Sequence, residues 1–254
     1  MALSLRAAIA AALMLATAGT VVGAELQVPV SVAMRGAVAE VAQAFEKKTG
    51  HTVKIKSMAP GQITASLKAG DVTDVIVQVD SALAEVEGLG LVKAGRVALA
   101  MTGFGIATRA SDPTPDISTA DALRAVFLSA GRVIYNDPAV TPSGKLLLSI
   151  AEKLGVADQV KAKSQVVGPG ANVVTLAKDA SAGPVITLAV LVEIPSVAGA
   201  RTIGPLPREL QVPLPYSAML GAKSTDAAAA QAFIEALATP EARQAYVRVG
   251  FEVK

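Results

Sequence analysis

The sequence predicts an α/β protein of two lobes, each a mostly parallel sheet with helices on both faces, with a cleft between the lobes. Three observations carry that expectation. Along the chain the apolar period switches repeatedly between the alternation of a strand and the 3.6 spacing of a helix. The run VTDVIVQVD (72–80) is almost continuously apolar at its centre, as a sheet covered on both faces requires. After Asp112 the strand–helix alternation begins again, as a second unit of the same kind.

The elements follow in order. LQVPVSVA (26–33) reads as a buried strand. The next segment, MRGAVAEVAQAFEKKTG, sets Val38, Val41, Ala42 and Phe45 on one helical face and stops at Gly50. TVKIKSMA is a second strand, PGQITASLKAG a short helix with Ile63 and Leu67 four apart, and 72–80 the third strand. SALAEVEGLG is helical, and VALAMTGFGIATRA (97–110) reads as one strand. In the second unit ADALRAVFLSAG, SGKLLLSIAEKLG and ANVVTLAKDASAG are helices between the strands RVIYND, KSQVVG and PVITLAVLVEI. ELQVPLPYSAMLGA is an extended connection to a tail of two helices, with Phe233, Ile234 and Leu237 on the first and Tyr246 and Val249 on the second. The division expected is 25–107 as lobe 1, completed by 213–254, and 108–212 as lobe 2. A single doubly wound domain is the alternative.

Residues 1–24 are read as a secretory signal peptide: Arg6, then an apolar alanine-rich stretch, then Val22 and Ala24 at the positions a signal peptidase prefers. The stretch is shorter than the roughly 20 residues a membrane span needs. The mature protein is therefore expected in the periplasm as a soluble monomer. It contains no cysteine, so neither a disulfide nor a lipid anchor is available. Of the 23 basic residues Arg6 falls in the leader, leaving 22 against 21 acidic ones. With scattered lysines and few aromatics, nucleic acid and membrane surfaces are not expected partners.

In open α/β sheets ligands collect beyond the carboxyl ends of strands, where helix starts offer unpaired N–H groups. At 33–36 these are Ala33, Met34 and Arg35, whose guanidinium suits a carboxylate or simply a solvated first turn. At 58–62, Pro60 suits a helix start, Gly61 lets a ligand approach the backbone, and Gln62 can donate or accept. The stretch YNDPAVTPSGK (135–145) sets Thr141 or Ser143 to cap a helix, Pro142 to fix its approach, Gly144 to open its first turn and Lys145 to add charge. A lysine there opposes the helix dipole, a mismatch that a bound anion would repair. At 168–175, Asn172, beside Val173, caps the helix or reaches a ligand; Thr187 in the next strand is a weaker candidate. No metal site or cofactor is expected: His51 is the sole histidine, carboxylates show no metal-ligand spacing, and GxGxxG is absent. No residue is assigned a catalytic role.

These segments resemble the periplasmic molybdate-binding protein family of ABC import systems, a branch of the type 2 periplasmic binding fold. The resemblance covers nearly all of the mature chain. It is carried by GRVIYNDPAVTPSGKLLLSIAEKLG (131–155), by LKAGDVTDVIVQVD (67–80) and by ATPEARQAYVRVGFE (238–252). It implies a solute-binding transport protein that closes on a small anion and delivers it to an inner-membrane permease. This chain departs from the family at the oxyanion grip: Ala33 stands where a binding serine is usual, Met58, Ala59, Pro60 and Gly61 replace a serine-rich turn, and Ile186 or Thr187 replaces a tyrosine. An organic carboxylate is therefore expected in preference to molybdate. The segment TIGPLPRELQVPLPYSAML (202–220) looks like a divergent branch whose members include an isomerase of a small unsaturated tricarboxylate (aconitate isomerase-like), which is the alternative function. Proton transfer there needs a base, for which Asp80, Asp137, Glu193 and Tyr216 are all available.

Overall fold

The computed structural model describes residues 23–139 and 141–253. The expected leader, but for Gly23 and Ala24, lies outside them. Two five-stranded sheets form the framework. The first takes β1 (Glu25–Ser31), β2 (Thr52–Met58), β3 (Val75–Val79), β4 (Val97–Thr102) and β10 (Leu214–Leu220), in the order β2-β1-β3-β10-β4. The second takes β5 (Phe104–Arg109), β6 (Arg132–Asn136), β7 (Ser164–Val167), β8 (Val185–Val190) and β9 (Ala200–Pro205), in the order β7-β6-β8-β5-β9. In each, one strand alone runs against the rest: β10 is antiparallel to β3 and β4, and β5 is antiparallel to β8 and β9. The fold is thus the expected α/β one with mostly parallel sheets.

Alternation along β1 and β3 sorts the core of the first sheet. Leu26, Val28, Val30, Val75, Val77 and Val79 face the helices α1 (Arg35–Thr49), α8 (Ala227–Leu237) and α9 (Pro240–Arg248). Ile76 and Met219 face the other way, onto α2 (Pro60–Ala69) and α3 (Asp80–Gly88) through Ile63, Leu67, Leu83 and Val86. Helix α1 ends where Gly50 adopts a positive φ of 74° and donates its N–H to Glu46 O, which a residue with a Cβ would do only under strain. Tyr246 fixes the tail pair by donating its hydroxyl to Leu237 O at 2.8 Å. In the second sheet, α4 (Ala120–Ser129), α5 (Pro142–Lys153) and α6 (Ala157–Ala162) bury Leu123, Phe127, Leu147, Ile150 and Val160 against β5, β6 and β8. The short α7 (Asn172–Lys178) packs on the opposite face.

Three readings of the sequence need correction. The segment 97–110 is two strands in different sheets, broken at Gly103, so the chain passes between sheets before residue 107. The extended connection into the tail is itself a sheet strand, β10. The strand β9 and the helix α6 were not anticipated: β9 is an edge strand with only half-buried apolar side chains, and α6 is barely more than one turn.

The two crossings between sheets, at Gly103 and at 206–213, run side by side. The Gln211 side chain clasps them: its Oε1 accepts the Phe104 N–H at 2.8 Å and its Nε2 donates to Phe104 O at 2.9 Å, as a neighbouring strand would. Gly103 makes room for this, because a Cβ there would lie 2.7 Å from Gln211 Oε1. Replacing Gln211 with alanine strands the Phe104 N–H without its partner; we expect a loss of about 1–3 kcal/mol, read as a lower urea midpoint.

Candidate functional site

Strand order places the crevice. In the first sheet α1 leads from β1 out to β2, and α2 returns across β1 to β3, so the crevice opens between the carboxyl ends of β1 and β3. The second sheet repeats this with β6, β7 and β8, opening between the ends of β6 and β8. Since one residue joins β4 to β5, the carboxyl edges of the two sheets are drawn toward each other. A cavity of about 280 Å³ lies on this seam, where Val79 and Ser81 face Pro142 and Leu146 beside Pro213 and Pro215. A groove of about 570 Å³ among α1, α8 and α9 sits on the far side of the first sheet, away from both crevices, and is lined by alanines together with charged residues such as Glu40, Lys48 and Glu241.

Side chains at the first crevice are polar and buried. Ser31 ends β1, Gln78 is the penultimate residue of β3, and Ser217 on β10 lies directly opposite Gln78 in the ladder. They are 2%, 0% and 1% exposed. Neither end of the Gln78 amide, nor the Ser217 hydroxyl, nor Asp80 Oδ1 has a hydrogen-bond partner. The other Asp80 oxygen lies 3.6 Å from Arg96 Nη1. At the second crevice Asn136 ends β6, donates through Nδ2 to Ser143 Oγ at 3.2 Å and leaves its Oδ1 buried and unpartnered. Those five atoms are the unpartnered buried side-chain polar atoms among the described residues, and all lie at or beside the two crevices. Such groups normally find protein or water partners, so their clustering marks a place where a ligand or ordered water completes the bonding.

The stretch 135–145 shows how α5 is aimed at the seam. Thr141 Oγ1 accepts the Gly144 N–H at 3.2 Å and donates to Asp137 O at 2.7 Å. Gly144 lets the helix start sit against the end of β6, since a Cβ there would fall 2.0 Å from Asn136 O. Pro142 and Lys145 are exposed and Ser143 half-buried. Of the other expected ligand residues, Ala33, Arg35 and Gly61 lie at helix starts on the first carboxyl edge, with Arg35 and Gly61 exposed. Neither Arg35 nor Lys145 makes an ion pair among the described residues. Several expected contacts are committed elsewhere. Met34 is buried in the first core, Val173 in the second lobe, and Gln62 folds back so that its Oε1 accepts the Ala59 N–H at 3.0 Å. Asn172 donates through Nδ2 to Thr187 Oγ1 and Leu188 O, both at 2.9 Å, which ties α7 to β8 and commits the Asn172 amide nitrogen and the Thr187 hydroxyl.

A 3₁₀ turn, residues 191–196, follows β8 and reaches the first lobe. Its Val192 packs against the first core and would lie 3.6 Å from a Cβ at Gly250. The next residue, Glu193, makes no ion pair or side-chain hydrogen bond among the described residues, and burial pushes its carboxyl up to about 7. Tyr216 of β10 sits near it: burial first, then the Glu193 charge, raises the phenol above its ordinary range, while a hydrogen bond with Ser31 acts the other way. The residues that sequence reasoning passed over are Ser31, Gln78, Asn136 and Ser217. For Gln78 the signal was present, a lone amide in a strand with both faces covered. His51, in contrast, is structural: it accepts the Ala24 N–H at 2.9 Å and stacks on Phe45.

Because the folded carboxyl of Glu193 titrates above its unfolded value, its share of stability is full below the ordinary carboxylate range and is lost as pH rises through about 7. The melting temperature is expected to fall between about pH 5 and pH 8, and Glu193→Gln to flatten that fall; parallel melts of the two proteins across pH check it.

Comparison with known proteins gives a consistent picture. A family model described as bacterial extracellular solute-binding protein matches residues 26–252. A protein named aconitate isomerase from Pseudomonas sp is 31% identical over 216 residues, covering 83% of this chain and 80% of that one. Among solved structures, the periplasmic molybdate-binding protein of Azotobacter vinelandii superposes with a TM-score of 0.72 at 20% identity, over 90% of this chain and 99% of that one. The sulfate-binding protein SubI from Mycobacterium tuberculosis H37Rv gives 0.71 at 17% identity, over 90% and 86%. At those identities the two structures show a shared fold.

Proposed function

The chain belongs to the bacterial extracellular solute-binding protein family, and from that we propose that it is exported to the periplasm, captures a small organic anion between its lobes and hands it to an ABC-type permease. The observation that carries this reading is the set of unspent polar atoms of Gln78, Ser217 and Asn136 at two crevices that the crossings bring together, with Gln78 Nε2 and the Ser217 hydroxyl as donors. The starts of α1, α2 and α5 open on the same edges and favour negative charge. Arg35 and Lys145, each in a first helical turn and without an ion pair among the described residues, add positive charge. Hydroxyl donors are missing where a tetrahedral oxyanion would want them: Ala33 and the run Met58 to Gly61 supply backbone only. The planar guanidinium fork of Arg35 suits a carboxylate.

Calorimetric titration of residues 25–254 with molybdate, tungstate, sulfate and a panel of di- and tricarboxylates tests the reading. We expect a carboxylate to bind at micromolar or tighter dissociation constant, on the order of −8 kcal/mol, and at least tenfold tighter than molybdate. No heat with any anion ends it.

A second reading is favoured by two observations, the relative named aconitate isomerase and the half-buried Glu193, whose carboxyl is pushed up to about 7. A carboxyl that titrates near neutrality can take a proton from one carbon of an unsaturated tricarboxylate and return it to another. The purified protein alone would then interconvert cis and trans isomers, seen as an absorbance change that Glu193→Gln abolishes. An unchanged spectrum at saturating substrate excludes it.

A further inference from the structure

We propose that the ligand is a hydroxy acid, and that Gln78, Ser217 and Asp80 read its hydroxyl. The inference rests on the capture of an organic anion and names its class. It starts from a count of donors and acceptors. A carboxylate, like any oxyanion, brings only acceptors, which can meet Gln78 Nε2 and the Ser217 hydroxyl. It cannot meet Gln78 Oε1 or Asp80 Oδ1, and it is repelled by the Asp80 charge. Whichever way the Gln78 amide is turned, one free donor and one free acceptor stand at the end of β3. A hydroxyl is the small group with the same two capacities: it gives its hydrogen to an amide or carboxylate oxygen and accepts from an amide N–H.

Placement supports this. Gln78 and Ser217 are paired across the β3–β10 ladder, on the face covered by α2 and α3, and Asp80 follows two residues after Gln78. Gln78 and Ser217 are almost fully buried, so an unmade bond there is not repaired by bulk water. An ammonium group fits less well. It carries three donors and no acceptor, which leaves Gln78 Nε2 unmet, and the Asp80 charge is already faced by Arg96. The neighbouring helix starts remain for the carboxylates of the same molecule.

A site built to bond a hydroxyl rejects the analogue that lacks it far more strongly than an apolar pocket rejects a methylene. Pairs that differ by one hydroxyl therefore test the inference: malate against succinate, and citrate against tricarballylate, titrated calorimetrically, with aspartate as the ammonium counterpart of malate. We expect the hydroxylated member of at least one pair to bind about 100-fold tighter. Gln78→Leu, which keeps volume and removes both polar ends, should shrink that ratio at least tenfold. Ser217→Ala, a one-atom deletion, should shrink it less and serves if the leucine variant lacks a cooperative melt. Equal affinities within both pairs, a ratio that survives both variants, or a preference for aspartate overturns the hydroxyl assignment and leaves anion capture standing. Binding by no member of the panel overturns both.

Discussion

A single constraint organises the molecule: the chain changes sheets twice, and each time at a carboxyl edge. One residue, Gly103, separates the end of β4 from the start of β5. Consecutive Cα atoms are 3.8 Å apart, so the second sheet must present its own edge within a few ångströms of the first. A strand that enters there has to run against its parallel neighbours, which is why the reversed strands are β5 and β10, the two that follow a crossing. The helix starts and the crevices of both sheets are then on facing edges as a matter of connectivity. Gln211 completes the arrangement by standing in for a strand at the narrowest point.

Polar groups in this protein fall into two populations, and the contrast gives the site its definition. Asp74, fully buried, accepts the Gln27 N–H, the Ser224 hydroxyl and the Thr225 N–H. Asp112 is gripped by Arg109 and also accepts the Val185 N–H, and Asn172 is spent on Thr187 and Leu188. Each of these holds one element to another and has its partners inside the protein. Gln78 and Ser217 are as deeply buried and lack them, and Asn136, bonded to Ser143 through Nδ2, leaves its Oδ1 unmet. Burying an unmatched amide lowers stability, and among the described residues that cost is concentrated at the ends of β3 and β6 and on β10 beside them.

How much of this was legible depends on what each residue shows its neighbours in sequence. Helix starts were readable, because Thr141, Pro142 and Gly144 act on their own turn and their chemistry is local. The split at Gly103 was not, since the apolar runs on either side continue the same period of two and nothing in that period says which sheet a strand joins. Met34 and Gln62 sit at helix starts of the right kind, yet packing claims the first and a backbone N–H the second. Gln78 stood out as a lone amide, yet its setting was not readable. Five buried residues in a row read as core, and only the partner strand β10, some 140 residues away, reveals that the amide is opposed by a hydroxyl.

Val192 sets a condition on any motion of the lobes. It belongs to the turn after β8, yet its methyl groups rest in the opposite lobe near Gly250. Drawing it out returns apolar surface to water, at a cost on the order of 1 kcal/mol for a partly covered valine. The contact therefore favours the approach of the two lobes seen here, whatever fills the crevice.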